Sequence, residues 1–394
     1  MKRTMARFRF HRRKFTLVLL ALTLSLSLTG CWSNVELNSV RKAGAIGVDL
    51  NKDGRYLVTV RIFKPSGAQG QQSGGGASSG QQGGKQSAVL QASGYTLFDA
   101  LRNLISVSGF KLYYEHLLYI ALGHDLAEQD IAQVLDFMLR NREARGRAWV
   151  LVADGRAESV IKTDAATHQN QAIMVDEMLK SFRSNGKYAA VQVIDLMRSL
   201  SGTDEAAYLP RIRVTSERDN LHIHGAAMIK RGKVIADLND SETRGLLWLR
   251  NKIASTIVVV SLRQQRQYAA IEVIRSKTDI QPIYDGKQLR FKVKVSPIGN
   301  IGELTSYTLT PSSYKALEKK FDKVISREIL AAIKKARAHQ VDVFGFYDYA
   351  HRRYPRKWRV WQDHWPEVFA RAPIRIQVDG RLLHNGQLKE EVTF

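Results

Sequence analysis

Ala45-Ile46-Gly47-Val48-Asp49-Leu50-Asn51-Lys52-Asp53-Gly54-Arg55-Tyr56-Leu57-Val58-Thr59-Val60-Arg61-Ile62-Phe63 decides how the rest of the chain is read. Two apolar runs flank Asn51-Lys52-Asp53-Gly54, a turn composition. The second run is β-branched with partial alternation, so strands are predicted at 45–50 and 56–63. From Ser66 to Ser87 the composition collapses to Gly, Gln and Ser. A segment so poor in apolar residues cannot offset its ordering entropy, and a flexible loop interrupting one domain is expected at 66–87.

Helical spacing then appears from Thr96 (Leu97, Ala100, Leu101, Leu104), over 130–140 and 172–182, and over 191–200, where Gly202 terminates it. Strands are predicted between them, at 117–122 and 147–152. The turn-rich passage 201–210 reads as a boundary. Beyond it come a hairpin (221–229, 233–238) about Arg231-Gly232, a short helix at 241–252, and strands at 255–262, 269–275, 280–284 and 289–295. The longest helix, 312–338, carries Tyr314, Leu317, Phe321, Val324, Ile325 and Ile329 on one stripe. A Trp-rich segment and a strand at 374–378 close the chain. The order implies an α+β protein of two to three mixed α/β domains, each a mostly antiparallel sheet with packed helices, after a cleaved signal peptide. The expected division is a leader at 1–30, an N-terminal domain at 31–205 and a C-terminal region at 216–394, which a break near 290 would subdivide.

The leader is read from three coincident features. Seven cations precede Lys14's neighbour Phe15, an apolar run follows to Leu28, and Leu28-Thr29-Gly30-Cys31 ends it. The run is about 14 residues, short of the roughly 20 that span a bilayer as a helix, which marks a secretory signal. Leu-Thr-Gly-Cys looks like a bacterial lipobox, in which the thiol of the chain's single cysteine, Cys31, takes a diacylglyceryl group. That leaves no thiol for a disulfide, iron–sulfur cluster or cysteine zinc site. The 394 residues are 44% hydrophobic, ample for real cores, and carry a formal net charge of +23. Without the seven leader cations, 53 Lys and Arg face 37 Asp and Glu, a net +16. An exported chain rarely meets nucleic acid but does meet anionic head groups, where each basic residue contributes about 1 kcal/mol. A merely solvated basic surface accounts for the same excess.

Several blocks together resemble one family, the C-subunit lipoproteins of bacterial spore nutrient germinant receptors. Gly30-Cys31-Trp32-Ser33-Asn34-Val35-Glu36-Leu37-Asn38 looks like its opening Gly-Cys-Trp-Asp-x-x-Glu-Leu-Asn, with Ser33 in place of Asp. Ala45 to Asp49, His116 to Leu122, Asp136-Phe137 with Arg140, and Gly225-Ala226-Ala227 through Glu242-Thr243-Arg244-Gly245-Leu246 also match. So do Asp342-Val343-Phe344-Gly345-Phe346, Pro355, Trp358, Trp365 and Phe369. The resemblance implies mixed α/β domains without enzymatic activity, on the outer face of the inner spore membrane. It also implies two integral-membrane partners, the A and B subunits, and a role in the germination response to nutrients. No cofactor is expected beyond the lipid on Cys31, and neither nucleic acid nor a tightly bound small molecule.

The family blocks nominate Trp32, Glu36, Leu37, Asn38, Arg244, Phe344, Gly345, Trp358 and Trp365 as structural or interaction residues. Trp32 suits head-group level or a plain linker. Trp358, Trp361 and Trp365, at i, i+3 and i+7 among Arg353, Arg356, Lys357 and Arg359, suit either a docking face or a helix buried against its own domain. Arg244 suits packing of the hairpin onto its helix, or a partner's carboxylate. His222 and His224 point to one face of a strand, but no Asp, Glu or Cys close in sequence completes a metal set. The chain lacks a Gly-x-Ser-x-Gly elbow, a Gly-x4-Gly-Lys-Ser loop and a His-Glu-x-x-His helix. Two other readings stay open: a solute-binding lipoprotein of an importer, needing two matched lobes, and a cell-wall hydrolase, needing paired carboxylates or zinc.

Overall fold

A computed structural model describes residues 40–63, 87–140, 146–164, 170–202, 205–215, 220–262, 267–305 and 311–383. The expected Gly/Gln/Ser loop, Cys31 and the block Trp32 to Asn38 lie outside the described residues. Strand β1 (Val40–Leu50) turns through Gly54, at φ 78, into β2 (Tyr56–Phe63), and the two pair antiparallel as the opening stretch predicts. Next come β3 (Ser87–Gly94), α1 (Leu97–Ser108), β4 (Lys111–Tyr113), β5 (Tyr119–Leu122), α2 (His124–Gln129) and α3 (Ala132–Arg140). They are followed by β6 (Trp149–Ala153), α4 (Ala157–Lys162), α5 (Gln171–Lys180), α6 (Phe182–Asn185) and α7 (Val193–Leu200). Then β7 (Ala206–Thr215), β8 (Asn220–Lys230) and β9 (Lys233–Leu238) complete a nine-stranded sheet of order β3-β2-β1-β5-β6-β7-β8-β9, with β4 beside β1.

The centre of this sheet is parallel, β1 to β5, β5 to β6 and β6 to β7, and its flanks are antiparallel. Strand β5 is buried along its whole length, because helices cover both faces. Ile46, Val48, Ile120, Leu122, Val150 and Val152 face α1, α2, α3 and α7. Ala45, Tyr119, Ala121, Leu151 and Ala153 face α4 and α5.

The passage 206–210, read from sequence as part of a boundary, is strand. Its turn character comes from Pro210, which sits where the β7–β8 register slips by a bulge, a place where a missing N–H is tolerated. The sheet therefore runs across the expected gap between 205 and 216. The 221–238 hairpin forms as predicted, about Arg231 and Gly232 at φ 51 and 74, and belongs to this first sheet.

Helix α8 (Asp240–Leu249) leads to the second sheet: β10 (Thr256–Ser261), β11 (Tyr268–Tyr284), β12 (Leu289–Leu304), β13 (Ile374–Val378) and β14 (Arg381–Leu383), in order β10-β11-β12-β13 with β14 beside β12. Sequence divides β11 into two strands because a bulge between Val273 and Arg275 inverts its alternation. Helix α9 (Pro311–Ala338) lays Leu317, Phe321, Ile325, Ile329 and Ile333 on the inner face of this sheet. Helices α10 (Phe346–Arg353), α11 (Pro355–Trp361) and α12 (Trp365–Arg371) follow, and one apolar core joins the inner face of the second sheet to one face of the first.

Candidate functional site

Three knots hold the residues that sequence nominates. In the first, α8 crosses α9. Asn239 caps α8 through a capping box with Glu242, whose carboxylate also meets Lys335 at 3.1 Å. One turn on, the Arg244 guanidinium forks onto Glu328, with Nε to Oε2 at 2.9 Å and Nη2 on Oε1, and also donates to the Ile257 carbonyl at 3.1 Å. Trp248 Nε1 donates to the same Glu328 oxygen at 3.1 Å. Glu328 is 4% exposed, so every lone pair it uses is filled by protein. A Cβ at Gly245 would stand 2.2 Å from the Glu328 carbonyl oxygen, so Gly lets the two helices touch. Arg244 thus has an internal carboxylate as its partner.

The second knot is the segment Asp342 to Phe346. Asp342 is buried and accepts from the backbone N–H groups of Phe344 (3.1 Å), Gly345 (3.0 Å) and Tyr347 (2.8 Å), and from Trp365 Nε1 (3.2 Å). Burial pushes its carboxyl above the ordinary range, and the backbone N–H groups of Tyr347 and Phe346, the Trp365 indole and the Arg250 charge pull the other way. Gly345 sits at φ 81 with the Arg250 guanidinium 2.5 Å from where a Cβ would stand. Arg250 itself donates to the Phe344 carbonyl at 3.2 Å. Around this loop Phe291, Phe344, Phe346, Trp358, Trp365 and Phe369 form an aromatic cluster, with Trp358 and Trp365 5.1 Å apart.

The Trp triplet therefore divides. Trp358 and Trp365 are buried, and Trp361 is half-buried against Tyr284 at 5.3 Å. The i, i+3, i+7 reading assumed one helix. The chain instead breaks through a 3-10 turn at 362–364, with Pro366 inside the first turn of α12. Of the two readings, burial against its own domain is the observed one for Trp358 and Trp365.

The third knot joins the Ala45–Asp49 block to α4. Asp49 accepts from Ala157 N and Glu158 N, both at 2.8 Å, at the start of α4, and burial pushes its carboxyl up. A Cβ at Gly47 would meet Ile161 at 2.8 Å. At the other end Arg61, buried, donates to the carbonyls of Ile161 (2.6 Å) and Thr163 (2.9 Å). Sequence reasoning missed Arg61, Arg250 and Glu328, since each finds its partner across at least 80 residues. A strong charge inside an apolar strand or helix stripe was the available signal.

His222 and His224 stack at 5.5 Å. His222 is exposed, whereas His224 Nε2 lies 2.9 Å from Asp154, whose second oxygen takes Arg211 at 2.8 Å. Burial raises the Asp154 carboxyl, but His224 and Arg211 outweigh it and hold it below the ordinary range. A carboxylate for His224 is thus supplied by Asp154, the residue just past the end of β6, which also pairs with Arg211. Among the described residues no group of three or more His, Cys, Asp or Glu converges as a metal set. Nor is any described helix long and apolar enough to cross a membrane. A concavity of about 820 Å³ lies between α1 and α3, lined by Leu97, Phe98, Leu101 and Phe137.

Comparison with known proteins agrees with these blocks. The family model "Spore germination protein N-terminal domain" matches residues 33–214 and "Spore germination B3/ GerAC like, C-terminal" matches 224–386, meeting inside the first sheet. Spore germination protein KC of Bacillus subtilis (strain 168) is 26% identical, covering 95% of this chain and 96% of its own. Spore germination protein B3 of the same organism is 23% identical over 92% of this chain and 95% of its own. The crystal structure of the GerBC protein superposes with a TM-score of 0.57 at 20% identity, over 86% of this chain and 97% of that one, and shows the same fold. With both halves matched in succession and the fold shared, the chain belongs to the spore germination family of GerAC-like C proteins.

Proposed function

We propose that this protein is the lipid-anchored, non-enzymatic C subunit of a spore nutrient germinant receptor, required for the germination response to nutrients. The carrying observation is the ordered match of both family models, which together leave little of the chain beyond the leader uncovered. Relatives named as spore germination proteins support it, as do the internal partners of the family residues Arg244 and Asp342. In this reading diacylglyceryl on Cys31 confines the body to the outer face of the inner spore membrane beside the integral-membrane A and B subunits. Confinement to two dimensions raises the effective concentration for weak contacts. Spores lacking the gene should fail to germinate with one nutrient class while responding normally to others. A normal response to every nutrient would end the proposal. Mass spectrometry should find a mature N-terminus at Cys31 carrying the lipid, and an intact Met1 with a free thiol would refute the anchor.

A further inference from the structure

The outer face of the second sheet carries a charge pattern that the fold does not need. Its inner face holds the core against α9, so every second residue points outward. Past the bulge in β11 those residues are Arg275, Lys277, Asp279 and Gln281, and on β12 they include Lys292 and Lys294. Register sets Gln281, Lys292 and Arg375 side by side, then Asp279, Lys294 and Gln377, and further along Arg275, Ile298 and Arg381. Arg275, Lys277, Lys292, Lys294, Arg375 and Arg381 are all exposed. Against these six cations the same surface offers Asp279 and Asp379, the latter 3.4 Å from Lys294. Lys292 and Arg375 are direct neighbours across two strands, an arrangement that repels. A depression of about 660 Å³ opens among Arg275, Lys277, Lys294 and Arg381.

We propose that this face lies flat against a bilayer containing anionic lipid, its cations meeting head-group phosphates. Two observations favour a bilayer over an acidic protein. The surface spans four strands, and it is rich in lysine, which protein interfaces avoid. A chain held by lipid gains from a second, electrostatic contact with the same membrane. The inference takes the protein's presence at a membrane from the lipid-anchor reading. The orientation it assigns is separate from that reading.

The test places the full lipidated chain on vesicles of phosphatidylcholine alone, or of phosphatidylcholine with about one third phosphatidylglycerol. Amine acylation read by mass spectrometry then compares Lys277, Lys292 and Lys294 with Lys315, Lys319 and Lys334, which are exposed on α9. The three sheet lysines should react at least about threefold more slowly on the anionic vesicles, and about 0.5 M salt should restore them. The variant Arg275→Glu, Arg375→Glu, Arg381→Glu keeps those lysines and should lose the protection without loss of thermal stability. Equal reactivity on both vesicles overturns the proposal. So does protection that appears only when another protein is added, which would assign the face to an acidic partner. If the chain proves to carry no lipid, the anchor reading fails, and sedimentation of the full chain with anionic but not neutral vesicles decides the face by itself.

Discussion

Three donors from α8 surround Glu328 and almost no water reaches it. Removing one partner of a buried pair costs about 3 kcal/mol, chiefly because the other charge is stranded. Arg244→Ala should therefore lower unfolding stability by that amount. Adding Glu328→Gln should recover part of the loss, since the amide oxygen still accepts from Trp248. Urea denaturation through the double-mutant cycle reads the coupling, and a loss below about 1 kcal/mol for Arg244→Ala contradicts this account. Asp322 supplies the pH dependence. Burial first, then the nearby Asp379 and Glu318 carboxylates, push its pKa up to about 6 despite the N–H of Gly380. An unfolded Asp titrates near 3.9, so the folded form holds the proton more tightly. Its stabilising effect is full below about pH 4 and is lost as pH rises through about 6. Asp322→Asn keeps an acceptor for Gly380 and removes the charge. It should match the parent near pH 4 and exceed it by about 1 kcal/mol near pH 7, after discounting for partial solvent screening. Thermal melts across that range check the sign.

At the scale of elements, the α8–α9 crossing inverts an ordinary rule. In an exposed helix Gly to Ala stabilises by about 1 kcal/mol. At Gly245 the new Cβ would press on the Glu328 carbonyl and force the helices apart, so Gly245→Ala should destabilise by about 3 kcal/mol. The opposite sign makes the measurement decisive. Asn239→Ala removes the capping box at the same helix and should cost about 1 kcal/mol without disturbing the crossing. The helix itself was legible from its start signal and apolar spacing. Its close approach to α9 was not, because nothing local distinguishes a glycine that permits contact from one that merely tolerates solvent. The Trp segment shows the same limit. Three indoles at helical spacing predicted one face, and a break at 362–364 sends Trp361 to a different cluster.

For the whole molecule, the first sheet binds residues that sequence assigns to two domains. Strand β8 exchanges its ladder with β7, so a chain of residues 216–394 would leave β8 without that partner. Such a fragment should elute as oligomers and lose exchange protection at the β8 amides that pair with β7 in the whole chain, as an unpaired hydrophobic strand edge invites pairing. A chain from residue 40 onward should remain monomeric and protected. A monomeric, protected 216–394 fragment would show that the expected boundary does separate folding units. The sequence alone determined the strands of the opening hairpin, most helices, the α+β class and the family, because periodicity, turn chemistry and short motifs are local or linear. Only the tertiary structure decided that Arg244 closes on Glu328, that Asp49 and Arg61 clamp α4, and that cations from four strands gather on one face. Those facts depend on which distant residues the sheet register and helix crossings bring within a few ångströms, and no local rule encodes that distance.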